Sequence, residues 1–583
     1  MAATEVLDLV VIGGGTSGIA AARFYLEIHP EAQVVIVERD GAVGGVWGKE
    51  RTFDGFKSQG SVRTGGFSDV PFNPPAENVD ENNFYDAKTM SVYLEEYIDS
   101  HSYAGRTLRE RVTFNATVKS LEKIAGLWTI KYTIASKEDS ALLSRKVIVS
   151  TGSTSIPNMP TLAGSSTFKG PIVHTLNFAR SKILQNDSIK TITVIGGGKS
   201  AADMVYQSVK AGKQVSWIIR KSGKGPGGFV AGKSPLGSYR NITELAVTRI
   251  FSAVVIPSGL GPDTWLSSFL FRTKLGRWLH GFVERAANEQ TKQAARYDDR
   301  PGARAGFKNL KSEMNAFFLT SPAGMAHHDD FWDTIAQNVD IHREDIAHLT
   351  THSVILTSAT EIKTDAILTA TGFRETFPFF TTTQSIALDL PHAQPLPPTE
   401  QNQWAPLEAH ATTKILQRFP RLANPPAIPL SLGDISKSNP PYRLHNATIP
   451  LSDIPSRSIA FTGYANIPNM FACSEINAIY ATAYLDNNLS LPSEAVLRET
   501  IAYNVAYMRL RCPTYGFKGN FWNFDFFPFV DGVLGEVGLT SYRRGGWWWE
   551  RFTRTFLIED LKGLKEEYLE KYGRGEGGSE FVL

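Results

Sequence analysis

The fold is decided by one stretch near the start of the chain, VLDLVVIGGGTSG, which runs from Val6 to Gly18. Its first seven residues are mostly apolar and β-branched, a pattern typical of a central parallel strand that is buried on both faces. The remainder supplies three consecutive glycines and a fourth glycine close behind them. We therefore expect a strand, a tight turn and then a helix over residues 19–28.

The glycines of this turn have separate tasks in a dinucleotide site. The first permits the tight turn, the third lets the backbone approach a pyrophosphate, and the last lets the helix lie close to the strand. Free N–H groups and the positive end of the helix dipole then face the phosphates. The residues of the turn expected to bind the cofactor are Gly13, Gly14, Gly15, Ser17 and Gly18.

A carboxylate stands where the ribose of that cofactor would lie. A second strand is expected over residues 33–37, and Glu38 follows it, about 20 residues past the turn. A carboxylate at this position accepts hydrogen bonds from ribose hydroxyls and disfavours a 2′-phosphate, so FAD or NAD fits better than NADP. A glycine-rich turn without a ligand is the alternative, but strand, helix, second strand and acid all occur in the required order.

The same pattern returns near the middle of the chain with a different ending. A strand is expected over residues 191–195, a helix over 202–211 and a further strand over 214–219, which ends in Arg220 and Lys221 instead of an acid. Two cations suit a 2′-phosphate, so this site predicts NADPH, with a solvated strand end as the alternative. Hydride transfer from NADPH to a tightly held flavin is the simplest chemistry that uses both sites. The other residues expected to bind NADPH here are Gly196, Gly198, Ser200 and Ala201.

The bulk composition excludes several other classes of function. The 583 residues carry a formal net charge of only +2, so no broad basic field favours nucleic acid. Cys473 and Cys512 are too few for a secreted disulfide framework and have no zinc-ligand spacing, so we expect no metal and a reducing compartment. With no long uncharged apolar run, we expect a cytoplasmic protein without a membrane span, with peripheral membrane association left open. The oligomeric state is left open too.

Several further segments resemble class B flavin-dependent monooxygenases, the class of flavin-containing and Baeyer–Villiger monooxygenases. The segment from Phe168 to Phe178, with Gly170 and His174 between them, resembles the fingerprint F-x-G-x-x-x-H-x-x-x-[WYF] of that class. The resemblance covers roughly residues 5–220 and 330–485. We interpret His174 as structural support. By resemblance, further cofactor contacts fall on Gly45, Val46, Trp47, Val118, Gly152, Gly372 and Gly463.

Within the class, the sequence is closest to the flavin-containing subtype. The Baeyer–Villiger pattern after the G-G-x-W segment is missing, because Phe53 is followed by Asp54 and Gly55. The segment from Phe67 to Pro71 resembles the aromatic-x-D-x-P of flavin-containing monooxygenases, and counting back places Gln59 where that family has its active-site Asn. An amide is kept there with one more methylene, so Gln59 is the candidate catalytic residue.

The resemblance implies a mechanism. NADPH reduces FAD, the reduced flavin captures O2 as a C4a-(hydro)peroxide, and one oxygen atom passes to a lipophilic small organic molecule. Ketone oxygenation of the Baeyer–Villiger type is the runner-up. Outside the class, the alternative is a non-oxygenating flavoprotein, either an NADPH oxidase-like reductase or a regulatory relative. A disulfide reductase is disfavoured because the two cysteines are 39 residues apart in the sequence.

We therefore predict an α/β protein with two doubly wound Rossmann-like domains. The FAD domain spans residues 1–180 and resumes at 376–485, the NADPH domain spans 185–375 with an insert at about 223–328, and residues 486–583 form an aromatic-rich extension. A closing strand is expected near residues 458–463 and a helix over 474–485. The insert contains a helical segment, residues 265–283, interpreted as packed on its own domain, with a substrate lid or a membrane-surface helix as the alternatives.

Overall fold

The computed structural model describes residues 5–573, except 136–138, 235, 256–257, 313–314, 316, 319–322, 395–396, 428–439 and 524. Its main strands, in chain order, are β1 (Val6–Ile12), β2 (Val34–Val37), β3 (Val112–Thr113), β4 (Ala116–Ile124), β5 (Leu127–Ile134), β6 (Asp139–Val149), β7 (Ile172–His174), β8 (Thr191–Ile195), β9 (Gln214–Ile219), β10 (Val339–Arg343), β11 (Ala366–Thr369) and β12 (Ile459–Phe461).

The main helices, in chain order, are α1 (Thr16–Ile28), α2 (Ala87–Ser100), α3 (Lys199–Lys210), α4 (Trp265–Arg272), α5 (Lys274–Gln293), α6 (Phe331–Asn338), α7 (Pro398–Arg418), α8 (Met470–Leu485), α9 (Glu494–Arg511), α10 (Phe526–Val537), α11 (Trp548–Thr553) and α12 (Leu564–Tyr572).

These strands form two separate sheets of the predicted doubly wound type. The first sheet has the order β3-β2-β1-β6-β5-β4, and β12 pairs with β6. Its β1, β2, β3, β6 and β12 run parallel, while β4, β5 and β6 form an antiparallel meander. The second sheet, β7-β11-β8-β9-β10, is parallel throughout. Because β12 comes from far along the chain, the chain returns to its first sheet after it has formed the second. The predicted domain boundaries stay predictions.

Three predicted helix starts were wrong by three or four residues. Helix α1 begins at Thr16 instead of residue 19, and α3 at Lys199 instead of residue 202, because the glycine turns continue directly into the first helical turn. Helix α8 begins at Met470 instead of residue 474, since Asn469 caps it by accepting the Ala472 N–H at 3.2 Å. The first helical turns of α1 and α3 thus follow their glycine turns without a break, and tertiary packing determines the backbone there.

The single helix expected over residues 265–283 is two helices. Thr273 adopts an extended backbone between α4 and α5, and its hydroxyl accepts the Gly276 N–H at 3.0 Å. Gly276 also permits a close crossing, because a Cβ there would lie 2.0 Å from the Phe269 carbonyl oxygen. The two helices therefore fold back on one another.

The C-terminal extension divides into a buried and an exposed part. Phe526 and Phe527, on α10, belong to the same hydrophobic core as α1, α8 and β1. Trp547, Trp548 and Trp549 are exposed instead. The aromatic-rich extension thus contributes partly to the core around the first sheet, which we call the first nucleotide unit, and partly to the surface.

Helix α1 lies against its strand through a contact that only glycine allows. A Cβ on Gly18 would lie 1.8 Å from the Gly13 carbonyl oxygen, and Gly13 itself holds φ at 109°. No side-chain rotation relieves such a clash, because the neighbouring atom belongs to the backbone. The close crossing of α1 over the end of β1 therefore requires Gly18.

We expect Gly18→Ala to destabilise the protein by about 1–3 kcal/mol or more, because the added methyl must displace backbone. Urea unfolding measures the loss. The matched control is Gly532→Ala on α10, where nothing lies within 4 Å of the added Cβ; there alanine should stabilise by about 0.5–1 kcal/mol. Equal effects of the two substitutions would contradict the role given to the crossing.

Candidate functional site

The first glycine turn leaves an open backbone face at its third glycine. A Cβ on Gly15 would contact only the backbone of Gly45, at 3.7 Å from its Cα. Gly15 and Gly44 form an isolated parallel bridge, and the Gly44 N–H donates to the Gly14 carbonyl at 2.8 Å. Two glycine segments therefore meet edge to edge without side chains between them, which is the form of cradle that a pyrophosphate needs.

Both carboxylate oxygens of Glu38 accept backbone N–H groups, one of which belongs to the glycine turn. The Gly14 N–H donates to Oε2 at 2.6 Å, and the Asp40 N–H donates to Oε1 at 2.7 Å. Burial raises the pKa of Glu38, while these two N–H groups act in the opposite direction. The carboxylate is thus fixed at the end of β2, and each oxygen keeps a lone pair for a ribose hydroxyl.

The other predicted contacts of the first site surround the same turn. Ser17 Oγ is 2.9 Å from Ser474 Oγ on α8, and a Cβ on Gly463 would lie 2.7 Å from Ser17 Oγ, so Ser17 and Gly463 are neighbours. Gly152 is also near Gly463, since a Cβ on Gly152 would lie 4.0 Å from the Gly463 carbonyl oxygen. Val118 lies half-buried on β4, beyond Ala116, whose N–H donates to the Glu38 carbonyl at 2.8 Å.

The segment Gly45–Trp47 forms a short 3-10 turn beside Gly15. Val46 is exposed, whereas the Trp47 ring stacks on Phe56 at 6.0 Å between centroids. Phe56 stacks on Phe53 at 5.1 Å, and Phe53 contacts Phe178 edge-on at 5.0 Å. This row of rings connects the first nucleotide unit with the end of the predicted fingerprint.

The second glycine turn repeats the geometry of the first. A Cβ on Gly196 would lie 2.5 Å from the Ala370 carbonyl, Gly198 is the N-cap of α3, Ser200 is exposed and Ala201 is buried. Arg220 and Lys221 follow β9, and both are exposed. The structure therefore places two cations at the carboxyl end of this strand with their side chains in solvent.

A third cation, which sequence reasoning missed, lies at the same edge. Arg343 ends β10, the neighbour of β9, with Ile219 as its register partner. A Cβ on Gly225, in the loop after Lys221, would lie 3.0 Å from Arg343 Nη2. Only the pairing of distant strands brings Arg343 here, so no local motif could have indicated it.

Lys224 is a second residue that the sequence did not single out. Its loop lies directly on the second glycine turn, because the Gly227 N–H donates to the Gly197 carbonyl at 2.6 Å. The Lys224 Nζ lies 3.6 Å from the centroid of the Tyr515 ring. Burial lowers the pKa of Lys224 to about 7; Lys518 acts in the same direction and Glu375 opposes it.

His174 has a structural environment. Its Nε2 lies 3.0 Å from the Gly372 carbonyl, to which it can only donate, and its Nδ1 accepts the Leu176 N–H at 3.2 Å. Burial lowers the pKa of His174, which keeps the ring neutral. The histidine thus holds Gly372, at the end of β11, against the fingerprint segment.

Asp69, in the segment that resembles the aromatic-x-D-x-P motif, lies in a buried charge cluster. Arg23 Nη1 on α1 is 3.2 Å from Asp69 Oδ2, and Arg23 Nη2 is 3.6 Å from Glu475 Oε1 on α8. Glu475 also accepts the Ser68 N–H at 2.6 Å. This segment therefore connects two helices of the first unit, a role that the sequence did not indicate.

Among the described residues, no hydrogen bond joins Gln59 to this charge cluster or to either glycine turn. It is exposed on the strand Lys57–Ser61, whose last residue donates from Ser61 Oγ to Glu244 in the insert at 2.8 Å. Its role as a catalytic residue stays a prediction.

Among the described residues, there is neither a metal-ligand cluster nor an accessible thiol. In the described part of the chain no three His, Cys, Asp or Glu side chains cluster as metal ligands. Cys473 and Cys512 are both buried and free, and burial raises the pKa of each to about 12. Among the described helices, none is long and apolar enough to cross a membrane.

Known proteins share this arrangement. The family model described as pyridine nucleotide-disulphide oxidoreductase matches residues 10–228. The FAD-dependent monooxygenase resA of Aspergillus sclerotiorum is 30% identical over 96% of this chain and 98% of its own length.

Two solved structures share the fold. The S-allyl-L-cysteine S-oxygenase from Allium sativum has a TM-score of 0.52 and 14% identity over 97% of this chain and 95% of its own. The NADP+-bound cyclohexanone monooxygenase from Rhodococcus sp. Phi1 has a TM-score of 0.54 and 16% identity over 85% and 88%. With its relative in Aspergillus matched from end to end, the chain belongs to the FAD-dependent monooxygenases, as a class B flavin monooxygenase.

Proposed function

We propose that this enzyme uses FAD, NADPH and O2 to oxygenate a lipophilic small organic molecule. The observation that carries the proposal is the contrast between the two turns: one ends at a fixed, buried carboxylate, Glu38, and the other at the exposed cations Arg220 and Lys221. A buried acid suits an unphosphorylated ribose, whereas a pair of cations suits a 2′-phosphate.

The residues present fit FAD at the first turn. The open face at Gly15 and Gly45 admits a pyrophosphate, and the Glu38 carboxylate would accept the ribose hydroxyls. Held there, FAD would supply the electron transfer and the activation of O2 that no side chain of this protein provides. The remaining contacts proposed for FAD are Gly13, Gly14, Ser17, Gly18, Val46, Trp47, Val118, Gly152 and Gly463.

The second turn and its surroundings would bind NADPH. Arg220 offers a planar fork and Lys221 a point charge, and Arg343 adds positive charge at the same edge. Lys224 lies in the loop whose Gly227 N–H binds the Gly197 carbonyl. Its ammonium would meet the negative charge of the nucleotide near this turn. The backbone contacts proposed for NADPH are Gly196, Gly198, Ser200, Ala201 and Gly372.

Aromatic side chains line the region between the two units and would exclude water from the reacting atoms. Besides the row from Trp47 to Phe178, Tyr515 covers Lys224 and is itself stacked on Phe521 at 5.7 Å. An apolar surrounding of this kind favours a lipophilic substrate. Gln59 is proposed to hydrogen-bond near the flavin through its amide.

The function is tested by reducing the purified enzyme anaerobically with NADPH and then admitting isotopically labelled O2 with candidate substrates. Label in an organic product supports oxygenation, and an ester formed from a ketone assigns the Baeyer–Villiger type. Stoichiometric hydrogen peroxide with every substrate tried would favour an oxidase. Failure of NADPH to bleach the flavin would overturn the proposal.

The first prediction for the sites concerns Glu38. In Glu38→Gln, one amide N–H group must face a backbone N–H of Gly14 or Asp40, so a donor meets a donor at a buried position. We expect the Kd for FAD to rise about tenfold or more. Flavin fluorescence during titration of the apoprotein measures it. Glu50→Gln, a half-exposed acid that pairs with Arg180, is the control. An unchanged Kd in Glu38→Gln would remove Glu38 from the site.

The second prediction concerns the choice between NADPH and NADH. Arg220→Ala removes a charge-assisted contact to the 2′-phosphate, so KM for NADPH should rise roughly tenfold to a hundredfold while KM for NADH stays nearly constant. Steady-state kinetics with both nucleotides decides it. Arg145→Ala removes an exposed arginine from the first sheet and should change neither KM. A parallel rise in both would refute the 2′-phosphate contact.

The third prediction is a pH dependence that comes from Lys224. Below pH 7 its ammonium is already charged, whereas above pH 7 it must take up a proton when an anion binds. The Kd for NADP+ should therefore rise as the pH increases above 7, by up to about tenfold per pH unit.

Lys224→Met should flatten this dependence, while the titration of the nucleotide phosphate is the same in both proteins. Calorimetric titration at several pH values gives both curves. Identical slopes for the wild type and the variant would show that Lys224 does not face the nucleotide.

A further inference from the structure

Helix α5 carries its apolar and polar side chains on the opposite faces from those of an ordinary surface helix. Leu275, Trp278, Leu279 and Phe282 follow the spacing of one helical face, and they are 59%, 65%, 40% and 64% exposed. His280 and Glu284, on the inward face, are only 4% and 6% exposed. A surface helix normally buries such an apolar stripe, so this one is available to an external apolar partner.

The inward face is held in place by specific contacts. Glu284 Oε1 accepts from Arg421 Nη2 at 2.8 Å, and the His280 ring contacts Phe271 edge-on at 5.1 Å. Gly276 on the same face lies too close to Phe269 to tolerate a Cβ. Rotating α5 to hide its apolar stripe would break these contacts, so the stripe stays outward.

The charges around the stripe are mostly positive, since the nearby acids Asp263 and Glu289 are paired with Arg272 and Lys292. Between residues 265 and 285 the chain has four cations, Arg272, Lys274, Arg277 and Arg285, and all four are exposed. The one acid in this range, Glu284, is buried in its pair with Arg421. Trp265, which begins α4, adds another aromatic ring with 80% exposure. An aromatic and aliphatic stripe flanked by cations is the chemistry of a helix that lies in the surface of an anionic bilayer.

We propose that α5 binds the surface of anionic membranes, with Leu275, Trp278, Leu279 and Phe282 entering the headgroup region and the flanking cations contacting lipid phosphates. A second copy of the chain fits less well, because a symmetric dimer through this face would bring the same cations together from both subunits. From its sequence, the segment is interpreted as one that packs on its own domain. The inward face of α5 does so, and we assign its outward face to the membrane surface.

The experiment uses the full-length holoenzyme and co-sedimentation with vesicles of phosphatidylcholine alone or mixed with phosphatidylserine. We expect binding to the mixed vesicles, a large loss of binding in high salt, and weak binding to phosphatidylcholine. Trp278→Ser/Phe282→Ser should weaken binding to mixed vesicles more than tenfold, since each ring loses its burial in the interface. Lys274→Gln/Arg277→Gln should weaken it about tenfold or more.

The control is Val92→Ser/Ile124→Ser, which removes two equally accessible apolar side chains from the first unit and should bind as the wild type does. FAD content and circular dichroism confirm that each variant is folded. Wild-type binding by Trp278→Ser/Phe282→Ser, or no binding by the wild type, would overturn the proposal. A wild-type dimer that this double variant converts to a monomer would assign the face to a second copy instead. None of these measurements depends on turnover, so the result stands apart from the proposed activity.

Discussion

The whole arrangement depends on how closely a helix can approach the end of its parallel strand. At the first turn, Gly18 on α1 lies against the Gly13 carbonyl with no room for a Cβ, and at the second the small residue Ala201 stands at the corresponding point of α3 and is buried. These contacts bring the N-termini of α1 and α3 to the carboxyl ends of β1 and β8, so free N–H groups and the helix dipoles point at one place. Each turn would therefore offer an anion site through its backbone alone, and we propose that the side chains decide which nucleotide it suits.

In this proposal, the choice of nucleotide at each turn comes from the charges at the ends of β2 and β9. Glu38 is buried and already bound to two backbone N–H groups, which fix its carboxylate and offset part of the cost of its burial. Arg220 and Lys221 are exposed, and such cations pay little desolvation before they meet a phosphate. In the proposed function, a fixed acid would suit a tightly held cofactor, and exposed cations would suit a nucleotide that binds and leaves in every cycle.

Local patterns predicted the parts of the structure that depend on neighbouring residues. The strands, both glycine turns and the residues that end β2 and β9 follow from short-range periodicity, and the two sheets confirm them. Arg343, Lys224 and the Arg23–Glu475 contact were not predicted, because each depends on elements that meet only in the fold. The starts of α1 and α3 were missed for a related reason, because both helices begin directly after their glycine turns and tertiary packing sets the backbone there.

Helix α5 shows most clearly why periodicity alone cannot assign a buried face. Leu275, Trp278, Leu279 and Phe282 have the spacing of a core-facing stripe, which supports the interpretation of the segment as packed. The orientation is decided instead by the break at Thr273, by the close crossing at Gly276 and by the pair between Glu284 and Arg421. These contacts bury polar groups that find partners inside the protein, so the apolar stripe is left for the solvent side. The inward face of α5 is already satisfied inside the protein, so its outward stripe would be buried only by a partner outside, and the cations beside the stripe would favour a partner of negative charge.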